Sequence, residues 1–478
     1  MNTAATAAIG VRRLADLPSP RGLPLLGHLH RIKPTALHLQ LEQWAKELGT
    51  PFRIDLGPVP VLVDDDPEVA QAALRDRPEG LRRPIVIESV FAEMGLEGLF
   101  AAEGAPWLAQ RRLIMQALNV THFRGFYPSL KAITERLHRR WLRAGQAGQV
   151  LEMTDELMRY TVDVTSTLSF GEDPNTLDNP GHVIQQHLAS IFPMIMKRTL
   201  SPLPYWRWLP LPADRRLQRD LKAVHAYAHE RIARARERMR AEPGTPPRNA
   251  LETMLAQADV PGSGFTDEVV VANVLTLLLA GEDTTAHSLA WTLLFLAQHP
   301  ELQDRLHLQA RAALGGHAVC PDHDSVKLLD AFEALALEAL RLKPVVAFLA
   351  LEPWQDMVLG GVALPRGARY FFINRPAQVS AQQFGCPHAY TPERWASPAA
   401  RQGEASTGPH NARAFLQFGA GPRVCPGRHL ATVEMRLVLS MLLGAFKVEL
   451  ACKPEAIDEV LNFTLMPSRM PVRLVPRA

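Results

Sequence analysis

The 478-residue chain has only four cysteines, at 320, 386, 425 and 452, too few and too scattered for a disulfide framework. That excludes a stapled secreted scaffold and fits a reducing compartment, so a cytoplasmic protein is expected. A large excess of either charge is absent as well. With 52 basic against 49 acidic side chains the net charge is +3, which gives no ground for nucleic-acid binding, and any basic patch has to be local. The first 16 residues, MNTAATAAIGVRRLAD, hold no apolar core of signal length, and no apolar run reaches the roughly 20 residues that span a bilayer. A soluble chain with no transmembrane anchor follows. No Gly/Ser-rich linker, repeat or composition break divides the sequence. We therefore expect a flexible segment over 1–16 and one domain over 17–478, for which an apolar fraction of 47% supplies a sizeable core.

What is present gathers in one stretch. Phe418 to Gly427 reads FGAGPRVCPG and runs into the helix-patterned RHLATVEMRLVLSMLLGAF. Its glycines and prolines force a tight loop, with Cys425 at the exit where a helix begins. Unpaired N–H groups at the helix start favour Cys425 as an anion, and Arg423 and Arg428 add full charges on either side. Thiolates bind soft metals. The glycines let the backbone approach the sulfur and donate hydrogen bonds to it, and Phe418 covers it from water. The bland alternative is a buried cysteine in a glycine-rich turn. Against that, the spacing of Phe418, Gly421, Arg423, Cys425 and Gly427 resembles the heme-ligating loop of the cytochromes P-450, in which a cysteine thiolate is the axial ligand of heme iron.

Leu17 to Gly27 is proline-rich and predicts an extended lead-in, Leu37 to Leu48 a helix, and PFRIDLGPVPVLVDD a β-hairpin. Ile85 to Phe100 shows no clean period; the resemblance makes it a loop over the substrate face, with Phe91 or Met94 in contact. Trp107 and Arg111 share a helix face at i, i+4, which alone means core plus solvated charge, but the resemblance implies that both anchor heme. Ile191 to Leu211 mixes aromatics and prolines and predicts a mobile apolar connection, a lid by resemblance or else a membrane-surface patch around Tyr205, Trp206, Arg207 and Trp208.

Thr266 to His299 carries the longest helical pattern, about 50 Å at 1.5 Å per residue, with Thr266 as its cap. Inside it AGEDTT places a glycine and two acids in apolar surroundings, where each costs free energy. This stretch resembles the oxygen-activating motif of the same family. The resemblance implies proton delivery to dioxygen by Asp283 and Thr284, with Ala280 and Gly281 making room. Glu338 and Arg341 pair at i, i+3; the resemblance implies a buried structural trio completed by Arg394 of the Pro392, Glu393, Arg394 segment. Val346, Phe348, and Leu465 or Met466 are expected at the pocket. Two departures stand out. The arginine expected ten positions beyond Arg341 is Leu351, followed by Glu352, and a His-Arg-Asp-Pro stretch is replaced by Gln378, Val379, Ser380 and Ala381, with Arg375 just upstream.

Taken together, the resemblance implies a mainly α fold with a smaller β portion and heme b between the long central helix and the Cys425 helix. It also implies a monooxygenase of the soluble bacterial type, acting with O2 on a small hydrophobic substrate. Electrons from NAD(P)H are expected through a separate ferredoxin or flavodoxin with its reductase, docking on a basic patch drawn from Arg111, Arg112, Arg413, Arg423 and Arg428. A peroxide-driven peroxygenase and a non-enzymatic heme-thiolate sensor are the competing readings.

Overall fold

The computed structural model describes residues 10–179, 187, 188, 190–396 and 410–477. Helices dominate, and the longest, Asp267–Gln298, is capped by Thr266, whose hydroxyl accepts from the Val269 N–H, with Asp267 and Glu268 in its first turn. That start satisfies orphan N–H groups and places negative charge at the positive end of the helix dipole. This central helix is long and apolar enough to cross a membrane, yet two thirds of its apolar window lies buried inside the protein. It packs side by side against Met153–Phe170. Gly281 permits the approach: a Cβ there would fall 2.5 Å from Thr165 Cγ2. The glycine expected to make room for oxygen thus also makes room for a neighbouring helix.

The β portion comprises a five-stranded sheet in the order Phe52–Leu56, Val59–Asp64, Arg369–Ile373, Phe348–Pro353 and Leu81–Arg82, with smaller sheets beside it. Its first two strands form the hairpin expected from PFRIDLGPVPVLVDD, and the helix Leu37–Leu48 forms where expected. A second hairpin, Glu459–Asn462 with Thr464–Pro467, turns on Phe463 alone and reaches toward the central helix.

Three expectations change. Arg12 and Arg13, assigned to a flexible segment, pair in parallel with Val362 and Ala363, and Leu14 behind them is buried. Ile85–Glu93 is a helix; its period is hidden because apolar residues occur all round it. Ile191–Thr199 is a helix too, since Pro193 sits in the first turn, where no N–H is needed. In the connection after it Trp206 turns inward and donates to Glu93 Oε2 at 2.6 Å, and Arg207 pairs with the same carboxylate. Trp208 faces outward, as do its apolar neighbours Leu203, Leu209 and Leu211.

Candidate active site

A cavity of about 460 Å³ separates the central helix from the Cys425 loop. Ala280, Gly281, Thr284 and Thr285 line it on one side; Phe418, Cys425, Gly427, Leu430 and Ala431 line it on the other. Apolar side chains fill most of the remaining wall.

The loop is shaped by its own backbone. Cys425 N–H donates to Phe418 O at 2.9 Å and Val424 N–H to Gly421 O at 3.2 Å. Gly421 adopts φ +66°, and a side chain there would strike Leu74 O at 2.5 Å, so this glycine seats the loop against the helix Pro67–Arg75. It does not line the cavity, which corrects its expected place at the cofactor. The Cys425 thiol opens on the cavity while protein surrounds it elsewhere. Burial pushes the thiol up, against backbone N–H groups of Gly427 and Arg428 and the guanidiniums of Arg111 and Arg428. The expected ready thiolate is therefore corrected: in the chain by itself desolvation wins, and a coordinated metal would displace the proton. Arg428 lies over the Phe418 ring, 5.3 Å from its centroid.

Arg423 acts elsewhere. It stacks on Trp107 at 4.5 Å and pairs with Glu103, donating also to Ala102 O at 2.8 Å. Burial and the nearby Arg77 lower its pKa to about 10. Arg77, Arg83, Arg111 and Arg369 line the cavity as well. Glu103 answers Arg77 and Arg423, while the buried Nε atoms of Arg77, Arg369 and Arg423 have no partner. Desolvation lowers Arg369, with only Glu352 opposing. This excess of buried positive charge, facing a cavity with one soft donor, suits a planar group carrying carboxylates on its rim. Arg369 was missed in the sequence; its signal was an arginine in the otherwise apolar strand RYFFI. It stands one residue from Tyr370, which pairs with Leu351 across the sheet, so the charge absent at 351 is present on the neighbouring strand.

On the central helix, Thr284 faces the cavity and its hydroxyl donates to Ala280 O at 2.8 Å. Asp283 does not line the cavity. It is buried, and its Oδ2 accepts from Thr464 Oγ1 at 3.3 Å. Desolvation raises it to about 7, with Thr464 pulling the other way. Glu282 beside it is wholly buried and held neutral. Glu434, on the helix Arg428–Ala445, lines the cavity with both carboxyl oxygens unpartnered, and burial keeps it neutral.

The roof is aromatic. Phe463 stacks on Phe192 at 5.2 Å and meets Phe100 at 5.5 Å, and Phe91 meets Phe100 at 5.1 Å. Val346 and Phe348 also line the cavity. Three pocket expectations are corrected. Met94 is packed beneath the wall, its carbonyl held by His225 Nε2. Leu465 is buried in the core, bonded through its backbone to Val345 and Trp291, and Met466 lies outside the cavity next to Asn462. The hairpin reaches the cavity through Leu461, Phe463 and Thr464 instead, because it turns at Phe463.

Below the site, Glu338 accepts from Arg341 Nε and a terminal nitrogen at 2.9 and 2.8 Å, from Arg394 Nε at 3.0 Å and from Trp395 Nε1 at 2.8 Å. All three charged side chains are fully buried.

Comparison with known proteins decides what this arrangement belongs to. The family described as Cytochrome P450 matches residues 17–473. The chain belongs to the cytochrome P450 family. As a P450 it is a heme-thiolate monooxygenase, a class that uses heme, dioxygen and electrons drawn from NAD(P)H. The crystal structure of cytochrome P450DA heme domain superposes with a TM-score of 0.84 at 25% identity, covering 98% of this chain and 99% of that one. Cytochrome P450 11B1, mitochondrial, from Ovis aries is 28% identical over 91% of this chain and 86% of its own. Cyclooctat-9-en-7-ol 5-monooxygenase from Streptomyces melanosporofaciens is 26% identical over 90% and 89%. This P450 thus matches relatives from plants, mammals and bacteria.

Proposed function

We propose that the chain, as one domain that takes in Arg12 to Leu14 as well as the expected 17–478, inserts one atom of O2 into a hydrophobic organic substrate, with electrons from a ferredoxin- or flavodoxin-type carrier and its reductase in the cytoplasm. The observation that carries this reading is Thr284 and Ala280 facing Cys425 across one cavity roofed by phenylalanines. The residues present fit heme b. Cys425 would hold the iron, Trp107, Arg111, Arg369 and Arg423 the rim carboxylates, and Phe418 and Gly427 the proximal face. Bound there, heme supplies dioxygen activation, favoured by thiolate donation. The chain's own part is to bind substrate beneath the roof, exclude water and move protons. Thr284 presents its hydroxyl at the cavity wall, and Asp283, raised to about 7 by burial, holds a proton at working pH that general acid catalysis requires.

The roof supports an apolar substrate, since Ile87, Phe91, Leu96, Phe100, Phe192 and Phe463 line the cavity there. A relative named for acting on cyclooctat-9-en-7-ol fits the same class. Of the arginines expected to form a partner patch, Arg111 and Arg423 line the cavity and Arg413 pairs with Glu68. Arg112 and Arg428 remain exposed for an acidic carrier. The test is turnover of substrates found by optical titration, supported either by a ferredoxin pair or by peroxide. Ferredoxin-supported product is expected. Thr284→Ala should keep consuming the donor but release peroxide in place of product. Turnover with peroxide alone would favour a peroxygenase, and ligand binding with no turnover under either regime would favour a sensor.

A further inference from the structure

We propose that Thr464, at the tip of the C-terminal hairpin, is the positioning residue for Asp283, fixing which carboxyl oxygen carries the acid's proton. The hairpin puts a hydroxyl between two buried groups of the central helix. Thr464 Oγ1 lies 3.3 Å from Asp283 Oδ2 and 3.2 Å from His287 Nδ1. His287 is buried and held neutral, lowered to about 3 by desolvation. If its Nδ1 carries the hydrogen, His287 donates to Thr464 and Thr464 in turn donates to Asp283. A hydroxyl has one proton to give, so Oδ2 is engaged and Oδ1 is left as the protonated oxygen. No ion pair reaches Asp283 among the described residues. Of the buried ionisable groups on the central helix and on helices packed against it, Asp163 pairs with Arg136, Glu156 with Arg140 and Glu338 with Arg341 and Arg394, while burial keeps Glu434 and the adjacent Glu282 neutral, Glu282 with the Asp283 carboxyl adding to the effect.

Two further observations show that the hydroxyl is held on purpose. Phe463, the single residue between the paired Asn462 and Thr464, has φ +82°, a conformation that costs a bulky residue about 1–3 kcal/mol and persists only where its surroundings enforce it. Its ring is wedged between Phe192 and Phe100. At the base of the hairpin, Glu459 is tied to His38, Lys343 and Arg375. The hairpin is thereby clamped at base and tip, and Thr464 also lines the cavity, so it joins the reaction space to an acid that does not line it.

This inference rests on Asp283 being the acid, and the experiment separates the two claims. In heme-loaded protein, the infrared band of the protonated Asp283 carboxyl is assigned by difference from Asp283→Asn. Thr464→Val should shift that band and raise its titration midpoint above the value near 7, since the hydroxyl favours the charged form. Donor oxidation with a plant-type ferredoxin pair should fall about tenfold, as for loss of one well-placed hydrogen bond, and the Asp283→Asn, Thr464→Val double variant should be no slower than Asp283→Asn. Thr464→Ser should restore both readouts. Should the valine variant fail to take up heme, Thr464→Ala carries the same measurement. A band and midpoint unmoved by loss of the hydroxyl, or losses that multiply in the double variant, would overturn the inference. If Asp283→Asn itself leaves donor oxidation unchanged, Asp283 is not the acid, and the infrared shift alone then decides Thr464.

Discussion

Replacing Glu338 by glutamine keeps the shape of the side chain and removes one buried charge. In the wild type its two oxygens accept five hydrogen bonds: Oε1 from Arg341, Arg394 and the Thr391 N–H, and Oε2 from Arg341 Nε and Trp395 Nε1. A glutamine can turn its carbonyl toward only one of those groups. With the carbonyl facing the first three donors, its NH2 points at Arg341 Nε–H and Trp395 Nε1–H, so two buried donors lose their acceptor at about 1–3 kcal/mol each. Two guanidiniums with no exposed surface also lose the charge that balanced them, and breaking a buried pair this way typically costs about 3–5 kcal/mol. Net stabilities are about 5–15 kcal/mol, so the variant is expected to lose a large part of its stability. Urea denaturation together with heme-to-protein ratio measures this. The expected result is a midpoint far below wild type and poor heme incorporation. A Glu338→Gln protein with an unchanged midpoint and full heme content would refute the reasoning, because it would mean the trio is not desolvated as a unit.

Asp283 predicts a pH slope. Its folded pKa of about 7 lies above the ordinary carboxyl value of 3.8, so the native state holds the proton more tightly; the stability gained is present in full below about pH 4 and is lost as pH rises through about 7, roughly 4 kcal/mol in all. Asp283→Asn should abolish that loss, and denaturation at pH 5 and pH 8 should show the variant gaining on wild type as pH rises; parallel curves would contradict the assignment. Arg369→Leu should release heme about 10- to 100-fold faster to an apoprotein acceptor, as expected for a lost charge-assisted hydrogen bond worth about 1.5–3 kcal/mol. An unchanged rate would mean that Arg369 serves the sheet and not the cofactor.

Much of this was legible in the sequence because it depends on short-range chemistry. The loop from Phe418 to Gly427 needs its glycines and prolines wherever the chain goes, and the Thr266 cap and the spacing of Glu338 and Arg341 are helix-local. What escaped depends on how distant segments meet. Gly281 reads as a weak point until Thr165 from another helix is seen pressed against it, and Gly421 reads as a cofactor contact until Leu74 is found behind it. Phe463 and Thr464 escaped because the hairpin turns on a single residue with positive φ, which no propensity for phenylalanine favours. Arg369 stands out in sequence as the charge in RYFFI, but its link to position 351 comes from the cross-strand register of Tyr370 with Leu351. The Cys425 thiol was misjudged for the same reason: flanking arginines are visible in sequence, whereas the burial that outweighs them is not.

The central claim is that Cys425, opposite Thr284 across the cavity, holds the iron of a heme. The most direct test is the carbon monoxide complex of the reduced protein, compared with Cys425→Ser and with Cys320→Ser, Cys386→Ser and Cys452→Ser. The account predicts the long-wavelength Soret band of a thiolate-ligated complex in the wild type and in the last three variants, and its loss in Cys425→Ser alone. A thiolate-type band that survives in Cys425→Ser would contradict it.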